Sequence, residues 1–168
     1  MDVPYPVIAM INGMAVGWGT TLTLSCDIRI ATEDARISFP FANSAGIVPE
    51  MNSTYMLTRL VGIGKACELI FTGKAITGKE AKEIGLVNAA VPLSELQTVT
   101  SELAKTIAEG APMSMRLAKK GLYQGLETEC YKQLLWEKAM LSVTLQSEDH
   151  AEAIEAFLAK RKPRFKGR

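Results

Sequence analysis

A chain of 168 residues has room for one domain of ordinary size, and two complete domains would be cramped. Hydrophobic residues at 48% and charged residues at 22% are the proportions of a soluble globular protein, and nineteen Lys and Arg against eighteen Asp and Glu leave a net charge of +1. That balance argues against a general nucleic-acid binder and against an acidic tail, and no apolar stretch approaches the roughly 20 residues a bilayer span needs.

The first half is rich in Gly and β-branched residues. Residues 7–11 (Val7, Ile8, Ala9, Met10, Ile11) form a continuous apolar run closed by Asn12-Gly13, which predicts a strand buried on both faces in a mainly parallel sheet. After Gly17-Trp18-Gly19, the spacing of Leu22 and Cys26 predicts a helix over 20–26. Residues 27–31 and 37–39 read as short strands. Strand, glycine turn, helix and strand together give a βαβ-like opening.

Helical signals dominate beyond Pro49. Helices are predicted over 52–61 and 64–71, then a short one opened by a Thr77/Glu80 capping box and stopped at Gly85. Residues 86–88 read as a brief strand. Longer helices follow over 94–109, 112–125 and 127–146, with Pro112 suited to a first turn, and a last helix runs over 149–162 up to Pro163. The opening's three short strands are few for a sheet and would leave apolar edges, so the chain is expected to be the back portion of a fold, or one completed by a partner.

Cys26, Cys67 and Cys130 are too scattered for a disulfide framework or a CxxC metal site, and their apolar neighbours predict buried reduced thiols. His150 is the only histidine, and Ser147-Glu148-Asp149-His150 reads as the first turn of a helix. A His-based triad or zinc site is thereby all but excluded. The opening Met1-Asp2-Val3-Pro4 lacks the basic start and apolar core of a secretion signal. A cytoplasmic location is expected, or an organelle matrix if a signal lies upstream.

The run from Pro6 through Asn12-Gly13-Met14-Ala15-Val16-Gly17-Trp18-Gly19, with Cys26-Asp27-Ile28-Arg29-Ile30-Ala31, resembles the crotonase superfamily of enoyl-CoA hydratases and isomerases. Gly46-Ile47-Val48-Pro49, Arg59-Leu60-Val61-Gly62, residues 69–73 and 81–87, and Phe157-Leu158-Ala159-Lys160-Arg161-Lys162 extend the likeness in order over nearly the whole chain. The resemblance implies an α/β fold: the C-terminal part of a crotonase-like ββα spiral over residues 1–92, then a helical trimerisation region over 93–168. It implies acyl-coenzyme A thioester substrates, a homotrimer or dimer of trimers, and no cofactor beyond the coenzyme A carried by the substrate.

The family's device is a thioester enolate held by two backbone N–H groups. By the resemblance one donor is the N–H of Trp18, where the family's turn carries a glycine, and the other comes from an Ala-rich loop that the family carries upstream of the position of Met1. The two glutamates of family hydratases fall at Thr21 and Ala42, so hydration, which needs a positioned acid or base, is disfavoured. Glu50, directly after Pro49, resembles the lone base of Δ3,Δ2-enoyl-CoA isomerases, with Phe41, Met51 and Met56 available to make its surroundings apolar. The same position carries an aspartate nucleophile in chlorobenzoyl-CoA dehalogenases, for which Glu50 would be an odd replacement. Phe157 and Lys160 match positions that close a neighbouring site and meet the coenzyme A phosphate. The alternative is a non-catalytic crotonase-like module that binds acyl-CoA or acts as a scaffold. The basic run over 160–168 is weak evidence for RNA binding.

Overall fold

The structure, a computed structural model, describes residues 3–168 and divides into two compact units. The first is Val7–Glu102; the second is Leu103–Arg168 together with residues 3–6.

In the first unit the chain visits two sheets in alternation. Strands β1 (Ile8–Ile11) and β2 (Met14–Val16) precede helix α1 (Trp18–Leu24); β3 (Ile28–Thr32) and β4 (Arg36–Ser38) follow it. Helix α2 (Ser53–Thr72), strand β5 (Ile76–Thr77), helix α3 (Gly78–Glu83) and strand β6 (Ala89–Val91) complete the series. One sheet has the order β1-β3-β6 and is parallel throughout, with Ile8 opposite Ile28 and Ile30 opposite Ala89. The other has the order β2-β4-β5, in which β2 and β4 are parallel and β5 runs antiparallel. Two successive strands, one for each sheet, followed by a helix make the ββα spiral turn that the resemblance implies. Leu24, Ile30, Ile37, Phe39 and Leu57 form its buried core.

Local chemistry explains most of the boundaries. Asn12-Gly13 ends β1, and α2 is interrupted at Gly62 (φ 76°, ψ 159°), which separates the two helices expected over 52–61 and 64–71. The capping box forms as anticipated: the Glu80 N–H donates to Thr77 Oγ1 at 3.2 Å, and the Thr77 N–H donates to Glu80 Oε2 at 2.6 Å. Arg29 is buried yet satisfied, its Nε donating to the Leu86 carbonyl at 2.9 Å and its Nη1 to the Cys26 carbonyl at 2.7 Å.

Four expectations for this unit are corrected. Strands β2 and β5 were not anticipated, because three and two residues are too few to show an alternation. Residues 86–88 are not a strand: Leu86 and Val87 are buried, Asn88 Oδ1 takes the Arg29 N–H at 2.9 Å, and β6 begins one residue later. Strand β1 is not buried on both faces, since Met10 is 41% exposed beside a buried Ile11. The helix expected over 20–26 starts two residues earlier, directly after Gly17.

The second unit is helical: α5 (Pro112–Gly125), α6 (Cys130–Leu145), α7 (Glu148–Leu158) and the end of α4 (Leu93–Ala108), which runs across the division. Pro112 opens α5, and the Ser147 side chain caps α7 by accepting the His150 N–H at 3.1 Å, so His150 lies in a first helical turn. Among the described residues no three His, Cys, Asp or Glu side chains gather as a metal cluster, and no helix is long and apolar enough to cross a membrane.

Helix α7 stops well before Pro163. Lys160 (φ 53°) donates its N–H to the Phe157 carbonyl at 3.1 Å and Arg161 donates to Ala156 at 3.0 Å, the bond pair of a Schellman motif with Lys in the place usually given to Gly. The basic tail then folds back on acids of the same unit. Arg161 Nη2 meets Glu152 Oε2 at 2.9 Å, Lys162 meets Glu109 at 3.2 Å and Arg168 meets Glu148 at 3.0 Å. Three of the six basic side chains over 160–168 are thus paired with acids. The cysteines differ from expectation in burial: none of the three forms a disulfide, but Cys26 and Cys67 are half-buried and Cys130 is exposed, opening a helix that buries none of its residues.

Candidate functional site

In the first unit, the turn between β2 and α1 is built around a backbone shape that only glycine adopts easily. Gly17 has φ 56° and ψ −116°, and its N–H donates to the Ser38 carbonyl at 3.2 Å. The buried Thr20 hydroxyl sits between the carbonyls of Ala15 and Ser38, 2.9 Å from the latter. These bonds tie the turn to the ends of β2 and β4. Trp18 follows as the first residue of α1, so its N–H has no partner within the helix and points out of it. The Trp18 side chain is exposed rather than buried.

Glu50 lies on a second turn. Met51 (φ 52°) and Asn52 (φ 60°) both take positive φ, and the Ser53 N–H donates to the Glu50 carbonyl at 3.0 Å. That is a type I′ arrangement made without glycine. Glu50 is half-buried, and its Oε1 is buried with no hydrogen-bond partner among the described residues. The Ser53 hydroxyl and the Tyr55 hydroxyl are in the same condition. Phe41 and Met56 are buried while Met51 is 45% exposed, so two of the three apolar residues expected near Glu50 belong to the core.

The two turns meet. Thr21, fully buried on α1, donates its hydroxyl to the Trp18 carbonyl at 3.1 Å and lies 3.6 Å from the Met51 sulfur. The residue three after the candidate donor thus touches the residue after the candidate base. Thr21 spends its one proton on the backbone of its own helix. Ala42 lies exposed on a single π-helical turn, Phe41–Ala45, closed by the Ala45 N–H to the Pro40 carbonyl at 3.1 Å. At neither position expected to carry a hydratase glutamate is there an acid.

Phe157 and Lys160 lie in the second unit. Phe157 is 83% exposed near the end of α7, and Lys160 is exposed just beyond the end of that helix. Reading the residues did not single out Ser53 or the strained Met51-Asn52 pair. Asn52, a residue that tolerates positive φ, was the only local signal.

The sequence model of the enoyl-CoA hydratase/isomerase family matches residues 1–168. Among curated relatives, a short-chain-enoyl-CoA hydratase of Clostridium acetobutylicum is 41% identical over 157 residues, covering 94% of this chain and 60% of its own. An enoyl-CoA isomerase/hydratase of Mycosarcoma maydis is 38% identical over 166 residues, covering 98% and 60%. A crystal structure of an enoyl-CoA hydratase from Bacillus anthracis superposes with a TM-score of 0.95 at 41% identity, over 99% of this chain and 64% of that one. The chain therefore spans about 60% of the length of the curated relatives it matches.

Proposed function

The chain belongs to the enoyl-CoA hydratase/isomerase family, and from that premise we propose that it serves Δ3,Δ2-enoyl-CoA isomerisation with Glu50 as the single base. One observation carries the reading: a buried carboxylate oxygen without a partner, on a turn whose next residue touches the helix that starts with the Trp18 N–H.

The Glu50 carboxylate takes a proton from C2 of a 3-enoyl thioester, and the electron pair runs through the carbonyl to the thioester oxygen. The Trp18 N–H donates to that oxygen as charge develops there, which is where a fixed donor lowers the barrier. Glu50 then returns the proton at C4, the pair flows back, and the double bond comes to lie between C2 and C3. No atom is gained or lost, so one carboxylate is enough. Two-carboxylate hydration has the names of relatives in its favour. Against it stand Thr21, whose hydroxyl is committed to a carbonyl, and Ala42, which has no acid to offer.

The exposed Phe157 and Lys160 are proposed to close the site of a neighbouring copy and to meet the coenzyme A phosphate, within a homotrimer or dimer of trimers. Turnover of a short 3-enoyl-CoA, with 2-enoyl-CoA hydration assayed alongside, tests the main reading. Glu50→Gln is expected to reduce isomerisation by about a hundred- to ten-thousand-fold with the fold intact by circular dichroism. Retained turnover in a folded Glu50→Gln chain removes the assignment, and silence of the unaltered chain in both assays favours a non-catalytic acyl-CoA-binding module.

A further inference from the structure

We propose that Ser53 is a positioning residue for Glu50, its hydroxyl donating to the Glu50 carboxylate and fixing which oxygen faces the reacting carbon. The inference rests on the reading of Glu50 as the base.

Residues 50 and 53 are the first and last of the type I′ turn, joined by the Ser53 N–H to Glu50 carbonyl bond of 3.0 Å. Residues so placed have α-carbons within about 7 Å of one another, and in the structure the Ser53 hydroxyl makes no hydrogen bond to either Glu50 oxygen. From there a serine hydroxyl and a glutamate carboxylate are within reach by side-chain rotation alone. Ser53 is 1% exposed, and its Oγ and Glu50 Oε1 are both buried without a partner. Bulk solvent reaches neither atom. A buried hydroxyl and a buried carboxylate oxygen left unpaired are each costly, and here the donor one needs is what the other offers.

The turn is also strained. Met51 is held in the left-handed region without being glycine, a conformation that persists only where surrounding structure imposes it and that gathers at functional sites. The Tyr55 hydroxyl, a third unpaired buried group, sits on a ring stacked under the Arg59 guanidinium, 3.3 Å from its centroid, and provides the control.

The test has an arm that does not depend on turnover. The full chain is labelled with 13C at the glutamate carboxyl carbon and observed at neutral pH, free and with saturated butyryl-CoA, the Glu50 resonance being the one lost in Glu50→Gln. Ser53→Ala is expected to move that resonance, Ser53→Thr to return it close to its original position, and Tyr55→Phe to leave it in place. A Glu50 resonance unmoved by Ser53→Ala in both states overturns the proposal, as does one moved only by Tyr55→Phe. In the isomerase assay Ser53→Ala is expected to lower kcat about tenfold with KM within twofold, and Ser53→Thr to restore it. An effect confined to KM counts against positioning. Full turnover by Glu50→Gln instead removes the base assignment while the resonance still reports on the pair, so the two failures are distinguishable.

Discussion

Two glycines separated by one residue carry opposite demands. Gly17 holds φ 56° with ψ −116°, outside the wells that residues with a β-carbon occupy, and its N–H and carbonyl anchor the turn to Ser38 and Thr21. Gly19 lies inside α1 with no positive φ, and a β-carbon added there meets nothing within 4 Å. Gly17→Ala is therefore expected to cost about 1–3 kcal/mol and to misdirect the Trp18 N–H. Gly19→Ala should be neutral or stabilising by up to about 1 kcal/mol, the ordinary helix preference for Ala over Gly. Urea midpoints check the pair, and equal destabilisation by both would show that backbone conformation is not what Gly17 supplies. At this scale the likeness to a family pointed to Trp18 and Glu50, but not to the turn that holds Glu50. Met51-Asn52 has none of the glycine that normally marks two positive φ values in succession. The burial of the Ser53 hydroxyl comes from tertiary packing, which leaves no local trace in sequence.

Elements with chemical punctuation were readable, and those without it were not. The Thr77/Glu80 box and Gly85 after a helix end act through one or two local bonds, Pro112 at a helix start acts through its fixed φ, and each sits where the residues predicted. The end of α7 was missed because Lys160 occupies a position that usually shows glycine, and Pro163 offered a stop signal that the chain does not need. The short tail beyond α7 is instead an element tied to that helix. The Arg161 guanidinium, and after it the Arg164 N–H, hold the Glu152 carboxyl down at about 2 from its ordinary 4.5. The folded value lies below the unfolded one, so the tie contributes stability above pH 4.5 and loses it as pH falls through about 2. The hydrogen-exchange protection factor of the Arg164 amide, which donates to Glu152 at 2.7 Å, is expected to hold from pH 7 to about 5 and to decline between 4.5 and 2. Glu152→Gln should lower it already at neutral pH. Protection unchanged down to pH 2 in the unaltered chain would mean that the carboxylate does not secure the tail.

For the molecule as a whole, the second unit carries the sharper demand. Helix α6 buries none of its sixteen residues, yet Tyr131, Leu134, Leu141 and Leu145 follow the three-, four- and seven-residue spacing of one helix face, each between 45% and 69% exposed. Helix α7 adds Ile154, Phe157 and Leu158, the last two at least 75% exposed. Monomeric proteins rarely leave contiguous apolar surface of this kind uncovered, and each leucine moved from water into an interface contributes about 1.5–3 kcal/mol. Association of copies through this unit, as proposed above, would cover that apolar face. It also gives the exposed Phe157 a place to act, since a side chain on such a surface reaches a second copy more readily than its own interior. Sedimentation of the chain at micromolar concentration is expected to show a trimer or a multiple of three. The double substitution Leu134→Glu and Leu141→Glu should release monomers while the far-ultraviolet helical signal persists, because neither residue is buried within the unit. A monodisperse monomer of the unaltered chain would remove the assembly and, with it, the role proposed for Phe157 at a neighbour's site.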